Sequence, residues 1–195
     1  MKNEERRTSV VLRWLNNNVL SAWFFGIIFL LLSCGRTYNT QLPADDSDDV
    51  SRLKREILIR VNRDLVEEDA QDIEAFAKSQ NWDMKVTESG LWYMIYGNGD
   101  GEKAVDGKVV TIEYSLSLFN GLVCYSSDEF GPLTFKLGFG NVESGLEEGM
   151  LLLRTGDRAR FIMPPYLAHG LTGDGDCIPP RVAVVYDVEL IGIAD

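Results

Sequence analysis

The only histidine in this 195-residue chain, His169, lies in the stretch PPYLAHGLTG, Pro164 to Gly173. An imidazole can act as a general base, a metal ligand or a donor in a pocket wall. A base needs a nucleophile to activate, and no serine or cysteine nucleophile motif accompanies His169. A zinc site needs further histidines or a Cys-x-x-Cys pair, and the three cysteines, Cys34, Cys124 and Cys177, stand far apart. The run DDSDD, 45–49, lacks the glycine and terminal glutamate spacing of a calcium loop. GNGDG, 97–101, has no lysine or Ser/Thr to complete a phosphate loop, and GFGNVESG, 138–145, has the wrong spacing for a dinucleotide fingerprint. Both read as turns. No metal, nucleotide or other cofactor is implied, and the role of His169 depends on what surrounds it.

Composition narrows the partners. The net charge is −11, and hydrophobic residues make up 45% of the chain, enough for a globular core. No basic stripe is present to neutralise phosphates, so nucleic acid is excluded as a partner.

The N-terminus differs from the rest. Lys2, Arg6, Arg7 and Arg13 precede an uncharged apolar run of 15 residues, Val19 to Ser33. A transmembrane helix needs about 20 residues, so the run fits a secretory h-region better. It ends in LLLSCGR, which resembles a bacterial lipobox with cleavage before Cys34. The resemblance implies a signal peptide over 1–33 and a mature chain tethered to a membrane of the cell envelope by lipid on Cys34, on a periplasmic or outer-membrane face. Several acyl chains anchor a protein durably where one does not. The competing reading is an uncleaved anchor with Cys34 incidental.

Residues 34–50 read as a flexible acidic linker. Residues 51–85 read as a helical extension, with Leu53, Ile57, Val61 and Leu65, then Val66, Ala70, Ile73 and Phe76/Ala77, recurring every three to four positions. It is one bent helix or two short ones, packing on the following domain or dimerising. From Leu91 the period becomes two. In VVTIEYSLSLF, Val110, Ile112, Tyr114, Leu116 and Leu118 share one face, and Asn120-Gly121 marks a hairpin turn to LVCYSS. RARFIMP and VAVVYDVELIGI are further strands, and the only helical stretch in this half is short, near Glu143 to Leu151. One-sided strands around one short helix predict an antiparallel α+β domain over 86–195.

These elements carry a resemblance. TIEYSL, PLTFKLGFGNVESGLEEGM, GDRARFIMPPYLAHG, CIPP and VVYDVEL occur in the order seen in FKBP-type peptidyl-prolyl isomerases. The N-terminal helical segment with SGLWYMIYGNGDG is similar to the preface of bacterial lipoprotein members. The resemblance implies an antiparallel half-barrel sheet wrapped around a short helix, with an apolar cleft between them. Carried over by motif, Tyr114, Tyr125, His169 and Tyr186 take the catalytic positions. Leu133, Phe135, Val142, Glu143, Leu146, Ile178 and Cys124 take the substrate-binding positions, with Leu146 as the floor. His169 falls where the family usually has a tyrosine that closes the cleft and donates to a substrate carbonyl. Glu143 replaces a usual isoleucine; its carboxylate must reach water or a partner, and its backbone amide is placed to hold a substrate carbonyl.

The implied function is cis-trans isomerisation of X-Pro bonds in exported envelope proteins, needing no cofactor. The implied partners are proline-containing polypeptides. The alternative is a non-catalytic binding or chaperone module using the same cleft within an envelope assembly. One departure bears on the choice: Cys124-Tyr125 stands where the family has Phe-Asp. Tyr125 cannot act as a carboxylate, and a bond between its hydroxyl and that of Tyr114 is the expected substitute. Weaker isomerase activity and weaker binding of the family's macrolide inhibitors follow. Cys124 and Cys177 both map to the cleft rim. They form a disulfide if their Cα atoms lie within about 7 Å, and otherwise remain small apolar thiols.

Overall fold

The computed structural model describes residues 46–195. The expected signal peptide, Cys34 and the expected linker up to Asp45 lie outside the described residues. Helix α1 runs unbroken from Asp46 to Ser79. It therefore starts before the expected Ser51, inside the acidic stretch read as linker, and no break divides it at 62–64. Four aspartates between 45 and 49 suit a helix start, where carboxylates meet the positive end of the helix dipole.

Residues from Leu53 to Asp195 form one unit. Its strands are β1 (Lys85–Val86), β2 (Trp92–Ile95), β3 (Val109–Leu118), β4 (Val123–Ser126), β5 (Leu133–Lys136), β6 (Arg158–Met163) and β7 (Val184–Ala194). They form one antiparallel sheet in the order β1-β2-β6-β7-β3-β4, with β5 also pairing with β3. Strand β3 reaches β5 through Val109–Ile112 and β4 through Ser115–Ser117. Register shifts at Thr111/Ile112 against β7 and at Leu116/Ser117 against β4 bend the sheet. Two helical turns follow β4 as α2 (Ser127–Phe130) and precede β6 as α3 (Ser144–Met150). The antiparallel α+β domain expected from the strand pattern, and the half-barrel around a short helix that the resemblance implies, are the fold observed.

The alternation in β3 decides which face is inside. Val110, Ile112, Leu116 and Leu118 are buried, and Tyr114 on the same face is half-buried. They join Phe135, Leu137, Leu146, Met150, Phe161, Met163, Tyr186 and Val188 in the main core, held between the sheet and α3. Helix α3 fits because its glycines bring it close. A Cβ at Gly149 would lie 2.8 Å from the Phe161 ring, and one at Gly145 would lie 2.9 Å from Met163 Sδ.

On the opposite face of the sheet, α1 supplies a second core. Ile73 and Ala77 bury against Ile162 and Val185, ringed by Phe76, Trp82, Trp92 and Phe119. The Phe76 and Phe119 rings stack with centroids 4.0 Å apart. Packing on the domain is thus what the C-terminal part of α1 does, which explains why Val185, out of phase with Val184 and Tyr186, is also apolar. Leu53, Ile57 and Val61, nearer its start, are exposed.

Candidate active site

Three elements converge on one hollow. Strand β3 contributes Tyr114 and Leu116, and the segment entering α3 contributes Asn141, Val142 and Glu143. The long connection before β7 contributes His169, with Tyr125, Leu133 and Tyr186 from their strands completing the wall. The cavity measures about 370 Å³, in the size range of small-ligand sites. Leu146, Phe135 and Ile178, expected to line it, are buried instead in the core cluster against which Tyr114, Leu133 and Val142 pack. The first three shape the hollow from the core and do not form its surface.

Polar chemistry centres on Glu143. The buried Tyr186 hydroxyl donates to Glu143 Oε1 at 3.0 Å. His169 Nε2 lies 2.8 Å from the same oxygen, yet it is buried without a well-directed hydrogen bond. The Glu143 side chain is only 14% exposed, so the carboxylate expected to find water or a partner has found Tyr186. Burial, and then the Glu143 charge and hydrogen bond, push the Tyr186 hydroxyl far above its ordinary value. Burial and the same charge push Tyr114 up as well. Both remain neutral donors at any physiological pH. The Tyr114 and Tyr186 rings stand 6.2 Å apart, tilted by 38°.

The Tyr114 backbone is pinned from the start of α2: Ser127 Oγ accepts from its N–H at 3.2 Å and donates to its carbonyl at 3.3 Å. Its hydroxyl has no hydrogen bond among the described residues, and neither does the backbone N–H of Glu143.

The expected Tyr125–Tyr114 bond is not formed. Tyr125 donates instead to Asp174 Oδ2 at 2.5 Å. Asp174 Oδ1 accepts from the backbone N–H groups of Asp176 and Ile178 at 2.9 and 2.8 Å, so one carboxylate folds the loop that carries Cys177 and Ile178. Desolvation pushes the Asp174 carboxyl up, but these three hydrogen bonds outweigh it and hold it below its ordinary value. The loop turns at Gly173, whose φ is +69° and where a Cβ would sit 2.2 Å from the Ile178 carbonyl. Behind it, Cys124 and Cys177 are joined by a disulfide, with Cα atoms 5.6 Å apart.

The sequence puts Leu116 on the inward strand face but not in the site, and Asn141 and Asp174 escape the sequence reading. Leu116 carried a signal, being two residues from Tyr114 on the same strand face. Asn141 and Asp174 are loop residues whose places depend on tertiary contacts.

A family model described as FKBP-type peptidyl-prolyl cis-trans isomerase matches residues 100–191. FK506-binding protein 1 of Dictyostelium discoideum is 36% identical over 103 residues, which cover 52% of this chain and 96% of that protein. The chain belongs to the FKBP-type isomerase family. The family member described as probable FkpA of Neisseria meningitidis serogroup B is 40% identical over 111 residues, 56% of this chain. The chain spans less than half the length of that protein and of a probable isomerase of Haemophilus influenzae, 40% and 48% of them. Among solved structures, that of AtFKBP13 superposes with a TM-score of 0.55 at 35% identity, covering 57% of this chain and 99% of that one.

Proposed function

We propose that this FKBP-family chain is a peptidyl-prolyl cis-trans isomerase that assists the folding of exported envelope proteins, held at a membrane by lipid on Cys34. The observation that supports the reading is the open hollow lined by Tyr114, Leu116, Leu133, Val142 and Tyr186.

Prolyl isomerisation breaks no bond. Its barrier, about 18–20 kcal/mol, is lost amide resonance. An enzyme therefore need only bind the twisted imide better than the planar one. The planar imide spreads charge over oxygen and nitrogen, so a dry pocket penalises it more than the twisted form. Leu116, Leu133 and Val142 supply apolar wall for the proline ring. The unpaired Tyr114 hydroxyl and Glu143 N–H are donors available to substrate carbonyls, and fixed donors favour the geometry they fit. His169 closes one side. Its Nε2 faces Glu143, so it donates to a substrate only by turning from that carboxylate.

Two features support a second reading, a non-catalytic module that holds proline-containing partners. Tyr125 is committed to Asp174, and the family's phenylalanine wall is replaced by half of a disulfide. Refolding of a protein limited by X-Pro isomerisation separates the two. Its slow phase takes tens to hundreds of seconds unaided. The isomerase reading expects that phase to accelerate with protein concentration; an unchanged rate alongside measurable binding favours the module. For the tether, metabolic labelling of the full chain in bacteria with an alkyne fatty acid should mark the wild type and not Cys34→Ser. Equal labelling of both would remove the lipid anchor from the proposal.

A further inference from the structure

Among the described residues, the carboxylate inside the hollow faces no lysine or arginine, and its one basic neighbour is His169, whose Nε2 lies 2.8 Å from Glu143 Oε1. Glu143 Oε1 is held by Tyr186, while Oε2 carries no hydrogen bond among the described residues. The side chain is therefore fixed in direction and only 14% exposed, with Oε2 left open at the cavity surface as an acceptor. At the rim, Asp174 adds a second negative charge, fixed by Tyr125 and two backbone amides. Asp176 stands two residues further along the same loop. The negative field reaches the wall itself: Glu143 acts on Tyr114 and Tyr186, while Asp174 and Asp176 act on Tyr125.

We infer that this cleft selects proline segments in which lysine or arginine directly flanks the proline, with Glu143 as the residue that determines the choice. The inference rests on the isomerase reading for its chemistry and on the cavity alone for its preference. A cation next to the proline can place an N–H on the free Oε2, a charge-assisted bond in a place where little water competes. An aliphatic neighbour that displaces water from that oxygen leaves it unsatisfied. An acidic neighbour meets repulsion from Glu143 and Asp174, and specificity is made by such penalties as well as by attraction.

The test uses short peptides of equal length with Lys-Pro, Pro-Lys, Nε-acetyl-Lys-Pro, Leu-Pro and Glu-Pro at the centre. Binding is followed by titration, and cis-trans exchange by NMR. Lysine peptides should bind the wild type about tenfold tighter than leucine peptides, the size of one charge-assisted bond. Acetylation of the lysine should abolish the difference, and high ionic strength should shrink it. Glu143→Gln and Glu143→Ile should each bring the lysine-to-leucine ratio to about one. Equal affinity of the wild type for lysine, acetyl-lysine and leucine peptides overturns the inference, and the peptide series decides this even if neither variant folds. Persistence of the preference in both folded variants also overturns the role of Glu143. Lysine preference in binding without faster exchange on any peptide would leave the inference standing and remove the isomerase reading. Uniform acceleration of all peptides, with uniform affinity, would do the reverse.

Discussion

Tyr186 and Glu143 meet in the lining of the cleft, the tyrosine hydroxyl donating to the carboxylate at 3.0 Å. A residue from the last strand is thereby tied to the entry of the short helix. Tyr186→Phe keeps the ring and removes the donor, leaving a mostly buried carboxylate short of its one directed bond. A loss of about 1.5–3 kcal/mol is expected, the scale for hydrogen bonds to charged groups. Urea unfolding of the two proteins measures it. A change within error would mean that Glu143 turns to water at no cost.

Tyr96 extends the argument to pH. Burial, then its bond to Asp187, pushes its hydroxyl from 10.0 up to about 12. A folded-state value above the unfolded one gives stability that is complete below about pH 10 and lost as pH rises through about 12. Wild type should therefore weaken over that alkaline window more steeply than Tyr96→Phe, which has no such proton to lose. Thermal melts of both at pH 9 and above, on the order of one-unit steps, check the sign; parallel curves would contradict it.

The Cys124–Cys177 bridge closes a loop with a sequence separation of 53. Its removal should cost about 2–4 kcal/mol on the loop-entropy scale. Intact mass after alkylation should show both thiols protected without reductant and both modified with it. The melting temperature should fall on reduction and in Cys177→Ser. Free alkylation in the oxidised protein would show that the bridge does not form.

Gly149 tests how the short helix is seated. A methyl there meets the Phe161 ring at 2.8 Å, so Gly149→Ala should destabilise by about 1–3 kcal/mol, the usual cost of overpacking. Because the helix follows directly from Glu143, the same change should also weaken peptide binding. Unchanged stability would mean that the ring gives way freely.

What the sequence made legible follows the reach of each signal. Period-two alternation in 109–118 requires one face to be inside, so the strand, its buried face and the placement of Tyr114 and Leu116 could be read directly. The start of α1 could not, because a run of acids suits a solvated linker and a helix N-terminus alike. Tyr125 shows the limit at the site. Its neighbour was inferred from the position of a family aspartate, but a hydroxyl takes whatever acceptor is nearest, and the loop turning at Gly173 brings Asp174 there. The pairing of Cys124 with Cys177 is of the same kind. Only the fold sets a Cα separation of 5.6 Å between residues so far apart in the chain.

The measurement that bears most directly on the central claim is NMR exchange spectroscopy of a short X-Pro peptide with catalytic amounts of the protein, compared with Tyr186→Ala and Tyr114→Phe. The account predicts cis-trans exchange faster than the uncatalysed tens to hundreds of seconds, slowed markedly by the loss of the Tyr186 ring and less by the loss of the Tyr114 hydroxyl. Exchange at the uncatalysed rate with the folded wild type, or acceleration that survives both substitutions unchanged, would contradict it.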